Sequence, residues 1–510
     1  MTEPASDGQS EARATAQARV ERAFRALAEV GKGAPGDGAE EGRRLQEAYD
    51  ALVAAAAAGV ERFPYAASYL FMRLAAHDWL ARMGDLDTVD RSLAESGEAA
   101  GVHMQVQMAR IAPGVEARIE ALRQRRVWGA ALEAAAARTP VVRAPRPVGG
   151  KVRLGFISSD LRHTNVGVFA WPLFEHRDRD RFELFVYSAH AGPDDPVQAL
   201  FRQWTDGWRQ IPGASPRAMA QAVAHDGLDM LIELGDAYAW EVCAYRPAPL
   251  QASWMGYSNS VGLAAIDHII LDPWLMPEDP RLVTERPLVM PHGWIAMTEA
   301  YFEPEPRLPE DTPQARNGFV TFGTLNAPYK YSPQCLDLWA RAVAAVPESR
   351  FLIVRPEAGA PTFRDNIARA FAAHGVAPER LAFAVVRGRH LPWYNEIDIA
   401  LDSLPVTGGT TTCESLWMGV PVVSLTGAAP FERMSASILA NAGLGDLAVR
   451  TPEAFVATAA ALAADRARRE RLKLTLRDRI RASPLGRSEA FARDFYALIA
   501  HTVATARGAA

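Results

Sequence analysis

In the N-terminal part of the chain, apolar residues recur with a helical period. Between about residues 41 and 138 they are spaced three and four positions apart, as in Trp79, Met83 and Leu86. This spacing places apolar side chains on one face of a helix. Alanine, a strong helix former, is also abundant there. We predict an all-helical domain of four to six helices over residues 41–148.

The residues before this domain differ in composition. Residues 1–40 are rich in small and acidic side chains, and residues 31–42 contain five glycines, which disfavours a packed core. We predict a flexible tail over residues 1–40 with one helix near residues 11–30. A helix-turn-helix near residues 80–98 faintly resembles a tetratricopeptide hairpin. The sequence has no convincing 34-residue period, so it does not predict a repeat solenoid.

After a linker at residues 139–150 that contains proline and arginine, the pattern changes. Short β-rich runs now alternate with helical segments, and such alternation predicts a parallel sheet with helices on both faces. We predict a Rossmann-like domain over residues 149–305. Its strands are expected near residues 152–157, 184–187, 230–234, 251–255 and 268–271.

A second series of the same kind follows a proline-rich stretch at residues 301–317. It predicts a second Rossmann-like domain over residues 315–510, whose last helix, residues 488–502, is a candidate to cross back. Because ligands of such sheets bind at the carboxyl ends of the strands, two domains in tandem would form a ligand-binding cleft. The predicted fold class is α/β, preceded by an all-α domain. The strands of this second series are expected near residues 319–325, 351–354, 381–386, 397–401 and 420–425.

Charge and cysteine content exclude several classes of protein. With 55 basic and 60 acidic side chains the net charge is -5, which gives no support to a nucleic-acid or membrane partner. The three cysteines, Cys243, Cys335 and Cys413, are too few and too widely spaced for a disulfide framework or a zinc site. The sequence shows neither a signal peptide nor an apolar run of about 18 residues. We therefore expect a cytoplasmic location.

The strongest chemical signal is the segment Gly408–Glu414, which joins a buried strand pattern to a helix. Its two glycines let the backbone approach a ligand, and its three threonines can cap the helix. The N–H groups and the dipole of a helix start favour an anion, and Glu414 would accept hydrogen bonds from ribose hydroxyls. A capped helix without a ligand is the alternative, because Gly-Thr turns are common.

Several segments of the chain together resemble the catalytic region of one family. They are Ser158–Arg162, Arg246–Gln251, Trp254–Tyr257, Lys330 with Ser332-Pro333, and Gly408–Pro421. In this order they look like the O-GlcNAc transferase family, glycosyltransferase family 41, which also contains bacterial protein N-glycosyltransferases and Spindly-type fucosyltransferases. The resemblance covers about residues 150–505. It implies a GT-B fold, an inverting mechanism, a UDP-sugar donor and no metal or other cofactor.

The resemblance also implies which residues bind the donor. Lys330 falls on a lysine that contacts the donor diphosphate, and His390 on a histidine near the nucleotide. A solvated surface lysine and an exposed loop histidine are the alternatives. Ala327 departs from the family, which often has Gln or Asn there. The candidate donor-binding residues are Lys330, Val385, Val386, His390, Gly408, Gly409, Thr410, Thr411, Thr412 and Glu414.

The acceptor side departs further from the family pattern. Many members carry a histidine four residues after the position of Asp160, where an ungapped match places Thr164. The neighbouring His163 is a candidate base, because a pKa of about 6.5 suits proton transfer; a residue that only lines the cleft is the alternative. Asp229 and Asp236 are further candidates, and Asp229 also fits a buried structural role. The candidate catalytic residues are Lys330, His163, Thr164 and Asp229, and the sugar or acceptor side is Gly256, Tyr257 and Ser258.

The implied reaction is transfer of a sugar, GlcNAc or glucose, from a UDP-sugar to a protein side chain. Two alternatives stay open: the same fold acting on a small molecule, and a non-catalytic protein that binds a nucleotide sugar or a partner. The expected partners are the donor and a protein acceptor, with a homodimer as an open alternative. We expect the N-terminal helices to pack against the first Rossmann-like domain.

Overall fold

The structure is a computed structural model. It describes residues 7–32, 38–60, 66–82, 114–145, 150–193, 195–256, 258–298, 308–309 and 311–508. The chain divides into two compact units, each made of separate stretches. One unit draws on residues 1–104, 306–425 and 449–476, and the other on residues 105–305, 426–448 and 477–510. We call them the six-stranded unit and the seven-stranded unit after their sheets.

Helices precede the first strand in the described part of the chain. Helix α1 packs along α2, and Val20 of α1 is fully buried, so the segment predicted as a flexible tail is largely helical between residues 7 and 32. Most of the predicted helix-turn-helix at residues 80–98 lies outside the described residues. The helices are α1 (Asp7–Lys32), α2 (Gly38–Ala57), α3 (Ala66–Arg73), α4 (His77–Arg82) and α5 (Val115–Ala137).

These helices do not all pack where we expected. Helix α5 does contact the seven-stranded unit, where Glu133 accepts a hydrogen bond from the Ala265 backbone N–H at 2.6 Å. Helices α2 and α3 belong instead to the six-stranded unit. The expectation that the N-terminal helices pack against the first Rossmann-like domain is therefore wrong for α2 and α3, because their polar side chains are matched to the second sheet.

The seven-stranded sheet has the order β3-β2-β1-β4-β5-β6-β7, and all its strand pairs are parallel. Its central strands are short runs buried on both faces, as expected for a parallel sheet between helices. The strands are β1 (Val152–Ile157), β2 (Phe182–Ser188), β3 (Gly207–Gln210), β4 (Met230–Glu233), β5 (Leu250–Ser253), β6 (His268–Leu271) and β7 (Arg286–Val289). The intervening helices are α6 (Asn165–Glu175), α7 (Pro196–Trp204), α8 (Pro216–His225) and α9 (Ala237–Cys243).

The six-stranded sheet has the order β10-β9-β8-β11-β12-β13. Its strands are β8 (Thr321–Thr324), β9 (Arg350–Val354), β10 (Leu381–Ala384), β11 (Ile399–Leu401), β12 (Val422–Leu425) and β13 (Ala448–Val449). The helices from here to the end of the chain are α10 (Pro313–Asn317), α11 (Pro333–Ala344), α12 (Pro361–Ala372), α13 (Thr410–Trp417), α14 (Met434–Asn441), α15 (Pro452–Ala464), α16 (Arg466–Ala482) and α17 (Ser488–Gly508). Helices α10, α11 and α15 begin with proline after a Thr or Ser cap, a pattern that fixes a helix start.

The C-terminal helix α17 packs on the seven-stranded unit. The ring of Phe495 lies 5.1 Å from that of Trp254, and the hydroxyl of Tyr496 donates to the Leu173 carbonyl. Near its end, the Arg507 guanidinium lies 2.6 Å from the carboxylate of Asp229. The last helix of the chain therefore belongs to the sheet that is first in sequence.

Candidate functional site

Lys330 lies just beyond a carboxyl end of the six-stranded sheet. Strand β8 ends at Thr324, and a short 3-10 turn, Pro328–Lys330, follows it. The Lys330 ammonium donates to the Asn326 side-chain oxygen at 3.4 Å and to the Thr407 carbonyl at 3.2 Å. Both acceptors are uncharged, so these two contacts orient the ammonium without neutralising it.

The segment that follows β11 brings the Gly-Thr loop to the same place. The Gly408 N–H donates to the Asp402 carboxylate at 2.8 Å. A Cβ at position 408 would lie 2.2 Å from the Thr412 hydroxyl, so only glycine fits this approach. Thr411 donates its hydroxyl to the Asn326 side-chain oxygen at 2.8 Å. That oxygen therefore accepts from both Thr411 and Lys330, which joins the lysine turn to the loop.

The expectation that the threonines cap the helix is wrong. Helix α13 begins at Thr410, its N-cap is Gly409, and no side chain caps it. The reason is that the helix begins at Thr410, so the three threonines lie within its first turn, beyond the N-cap position. The first N–H groups of a helix have no acceptor within the helix. Since Gly409, Thr410 and Thr411 are partly exposed, this helix start can offer its N–H groups and dipole to an anion.

Asp402 and Asn326 hold this arrangement together, and sequence reasoning did not assign either to the site. Asp402 is 1% exposed and accepts from the Ser403 and Gly408 N–H groups and the Ser424 hydroxyl at 2.6–2.9 Å. The Asn326 side-chain N–H donates to it at 3.4 Å. Asp402 and Asn326 each follow a buried strand, and this position was the sequence signal that could have assigned them to the site. The sequence instead drew attention to Ala327, one residue beyond Asn326.

Glu414 is buried in the first turn of α13. Its carboxylate is 2% exposed and accepts from His390 Nε2 at 2.9 Å and from the Tyr394 hydroxyl at 3.3 Å. Burial opposes the charge of His390, but the hydrogen bond and charge of Glu414 outweigh it and raise the pKa of the imidazole. In this structure Glu414 points inward from the first turn and orients His390, and its ribose contact stays a prediction.

Val385 and Val386 follow β10 at the start of the loop that leads to His390. Val385 is 38% exposed, an unusual position for a valine. Arg389 has a left-handed backbone, with φ of 43°, which is strained for a residue with a side chain. The structure therefore brings the valine loop, His390, Lys330 and the Gly-Thr loop into one unit. The contacts described above link Lys330 to the Gly-Thr loop and that loop to His390.

The candidate residues of the seven-stranded unit are more scattered. His163 is exposed and its backbone N–H donates to Asp195 at 2.8 Å. Thr164 is the N-cap of α6, where its hydroxyl accepts from Gly167 N–H and donates to the Asp160 carbonyl. Thr164 therefore caps α6 in this structure, and its catalytic role stays a prediction.

Asp229 is also placed differently from the catalytic prediction. It precedes β4, at the edge of the sheet opposite the carboxyl ends. There it is 5% exposed, accepts from the Arg153 N–H at 2.8 Å and pairs with Arg507. Its role is structural, since the ion pair anchors the C-terminal helix.

The sugar or acceptor candidates follow β5. Gly256 lies against the Leu234 carbonyl, and the Ser258 hydroxyl donates to the Met255 carbonyl at 3.0 Å. Tyr257 lies outside the described residues. Met255 has φ of 56°, so this loop, like the one before His390, carries a strained residue.

Glu233 is a further polar group at the carboxyl edge of the seven-stranded sheet, and sequence reasoning missed it. It ends β4, is fully buried, and accepts from the Gly235 N–H at 2.7 Å and from Trp240 Nε1 at 3.0 Å. Burial raises the pKa of Glu233 to about 7, although these hydrogen bonds act in the opposite direction. A carboxylate inside the apolar run Met230–Leu234 was the signal that could have found it.

The two parallel sheets, each covered by helices, form a GT-B fold that is preceded by a helical region. The family model for glycosyl transferase family 41 matches residues 137–296 and 308–495. The chain belongs to glycosyl transferase family 41.

Relatives agree with this assignment. The chain is 32% identical over 352 residues to the probable UDP-N-acetylglucosamine–peptide N-acetylglucosaminyltransferase SPINDLY of Arabidopsis thaliana, a match that covers 67% of this chain and 38% of the relative. The corresponding protein SEC of the same plant is 26% identical, and 64% of this chain and 34% of that protein are covered. The chain thus spans well under half the length of these curated relatives.

A solved structure is similar over nearly the whole chain. It is a lysine-to-methionine mutant of the O-GlcNAc transferase of Thermobaculum terrenum, with a TM-score of 0.76 and 26% identity. The match covers 99% of this chain and 100% of that chain. None of the helices in the described part of the chain is long and apolar enough to cross a membrane.

Proposed function

We propose that this chain is an inverting glycosyltransferase that moves GlcNAc from UDP-GlcNAc to a protein side chain. The observation that carries the proposal is the shared acceptor Asn326, which joins the Lys330 ammonium to Thr411 in the first turn of α13. A cation beside a helix N-terminus is a site for a diphosphate. The names of the relatives, which specify UDP-N-acetylglucosamine and peptide, support the donor and the acceptor class.

The proposed mechanism assigns each of these groups a charge to stabilise. As the bond between the sugar and the UDP breaks, negative charge grows on the leaving diphosphate. The Lys330 ammonium and the N–H groups of Thr410 and Thr411 would stabilise that charge, because fixed donors cost no reorganisation in the transition state. His390, held by Glu414 and favoured in its protonated form, would add a second cation near the nucleotide. This set supplies positive charge without a metal, and we propose that none is required.

Replacing Lys330 by methionine tests the donor site. We expect a loss of GlcNAc transfer of about 100- to 1,000-fold, the usual effect of removing one donor that stabilises transition-state charge. Transfer of radiolabelled GlcNAc to the proteins of a cell extract would be measured, with free GlcNAc released by hydrolysis of the donor counted separately. Lys151→Met is the matched control, since Lys151 is an exposed lysine of the seven-stranded unit. Full transfer by the Lys330 variant would refute the proposed mechanism.

The same assay distinguishes acceptor and donor classes. Label that stays with precipitated protein supports a protein acceptor, whereas label found only in small molecules other than free GlcNAc favours a small-molecule acceptor. No release and no transfer by the unaltered protein would favour a non-catalytic binding protein. Parallel reactions with UDP-glucose and GDP-fucose test the identity of the sugar. Faster transfer from either donor would show that glucose or fucose, rather than GlcNAc, is the transferred sugar.

We also propose a cytoplasmic location. All three cysteines are buried free thiols, a state that a reducing compartment maintains. Alkylation of the protein immediately after denaturation of whole cells would measure this. Three alkylated thiols are the expected result, and a disulfide-linked form would contradict the proposal.

A further inference from the structure

A row of alternating charges runs from the N-terminal helices to the second sheet within the six-stranded unit. Arg387, in the loop after β10, lies 3.5 Å from Glu41 of α2. Glu41 lies 2.5 Å from Arg73 of α3, and Arg73 lies 2.6 Å from Glu357 in the turn after β9. Arg355 closes the row at 3.1 Å from Glu357. The row therefore connects both helices to two loops of the sheet.

The row is largely withdrawn from water, so its members depend on one another. The side chain of Glu357 is 1% exposed, and those of Arg73 and Glu41 are 14% and 13% exposed. Burial alone would raise the pKa of Glu357, but Arg355 and Arg73 overcome it and lower that pKa to about 2. A buried charge that loses its partner is strongly unfavourable. Breaking one pair should therefore displace the neighbouring loop rather than leave it in place.

The backbones of α2 and this turn also meet closely. A Cβ on Gly42 would lie 2.5 Å from the Cα of Gly359, and one on Gly38 would lie 3.3 Å from the Arg387 nitrogen. Gln46 of α2 exchanges two hydrogen bonds with Thr362, at 2.9 and 3.0 Å. Helix α2 is thus fitted by backbone contact and polar matching to the turn after β9 and to α12, and its first residue, Gly38, also meets the backbone of the Val385–His390 loop.

Helix α3 and the start of α4 contact the other half of the candidate donor site. The ring of Tyr69 lies 5.9 Å from that of Tyr329, the residue before Lys330. The His77 imidazole lies near the backbone of Tyr331, the residue after Lys330. The Tyr331 hydroxyl donates to the Asn326 carbonyl at 2.7 Å. The lysine turn is therefore contacted by residues of the N-terminal helices, with the Tyr69–Tyr329 ring pair as its clearest contact.

We propose that helices α2 and α3 are a working part of the donor site, and that Glu41 is a positioning residue for donor binding. It holds Arg387, and through it the loop that carries Val385, Val386 and His390. This inference rests on the proposed function, since it assumes that the loop binds a uridine diphosphate. It also predicts that deleting the helices would impair donor binding, and not only the acceptor side.

Glu41→Gln in the full chain tests the proposal, with UDP itself as the probe. The substitution removes the charge that faces Arg73 and Arg387 while keeping the size of the side chain. We expect the Kd for UDP, measured by calorimetry below the melting temperature, to rise roughly tenfold, because small displacements of a binding group have effects of this order or larger. Glu41→Asp keeps the charge and should recover part of the affinity.

Matched controls separate positioning from general destabilisation. Glu47 lies on the same helix, and its side chain is 47% exposed beside Arg44; Glu47→Gln should leave the Kd unchanged. Hydrogen exchange should become faster at residues 385–390 in Glu41→Gln and stay unchanged at residues 230–233 of the other unit. A variant with a lower melting temperature but an unchanged Kd and unchanged exchange at residues 385–390 would overturn the proposal. If the unaltered protein did not bind UDP, the proposed donor would fail first, and this inference with it.

Discussion

The carboxyl edges of the two sheets differ in the sign of the groups they present. The edge of the six-stranded sheet presents a lysine and a helix N-terminus beside uncharged hydrogen-bonding groups, while its carboxylates, Asp402 and Glu414, are buried. The edge of the seven-stranded sheet carries carboxylates, among them Glu233, Asp236 and Asp160. The two sheets therefore share an architecture but differ in the side chains at their carboxyl edges. One set is suited to an anion, and the other consists of carboxyl groups that can hold protons.

Burial explains why the second edge can hold protons near neutral pH. Burial raises the pKa of Asp236, which caps α9, and the nearby charge of Asp160 acts in the same direction. Glu233 is deeper, and its pKa lies near 7. Perturbed acids of this kind are common at functional sites, and they also occur as structural groups. The base of the proposed reaction stays a prediction, with His163 as its exposed candidate.

The largest effect is expected from removing Asp402, the buried carboxylate at the sheet edge that carries Lys330. Asp402→Ala would leave the Gly408 N–H and the Ser424 hydroxyl buried without their acceptor. Each such group costs about 1–3 kcal/mol, so we expect a loss of roughly 3–5 kcal/mol in the free energy of unfolding. Urea denaturation would measure it, with Asp365→Ala, an exposed aspartate of α12, as the control. A loss no greater than that of the control would show that Asp402 does not support this edge.

On the acid edge, Glu233 should make stability depend on pH. Its pKa is raised from 4.5 in the unfolded chain to about 7 in the folded protein. The folded state therefore holds the proton more tightly, and the stability gained from it is present below pH 4.5 and lost as pH rises through 7. The difference corresponds to ~3 kcal/mol.

Glu233→Gln provides the test of this pH dependence. The amide cannot ionise, so the stability of the variant should fall less between pH 4.5 and 7.5 than that of the unaltered protein. Denaturation curves at four pH values in this range would show it. Parallel slopes for the two proteins would mean that Glu233 is ionised throughout and that the edge is an ordinary buried ion site.

A second contrast, between central and edge strands, explains which strands could be predicted from the sequence. The strands of both series lie within a few residues of their predicted positions, because a buried parallel strand is a local apolar run. The three missed strands, β3, β7 and β13, are all edge strands. Strand β13 has only two residues, and β3 and β7 contain arginine, glutamine or proline. Such residues are tolerated where one side of the strand is unpaired, which removes the apolar signal.

The residues of the candidate site were likewise predictable where the signal is local in the sequence. Lys330 and the Gly-Thr loop were found because motif and function lie in one short stretch of sequence. Asn326 and Asp402 were missed because their importance comes from meeting each other across 76 positions. The ion row from Glu41 to Glu357 spans 316 positions, and the predicted packing of these helices was wrong for the same reason. Local patterns do not specify which distant partner a charged side chain meets.

The smallest expected effect concerns His390 and refines the anion-binding edge. Glu414 raises the pKa of the imidazole against the effect of burial, so the cation is present below pH 6.5 and is lost as pH rises through the raised folded value. If this cation faces the donor, the affinity for UDP should fall a few-fold between pH 6.5 and 8.5. Calorimetry across this range would measure it. His390→Gln should give a flatter profile, because glutamine keeps a hydrogen bond to Glu414 without a titrating charge. An equally steep profile in the variant would place the pH dependence elsewhere, and Lys330 with the α13 N-terminus would then be sufficient for the proposed diphosphate site.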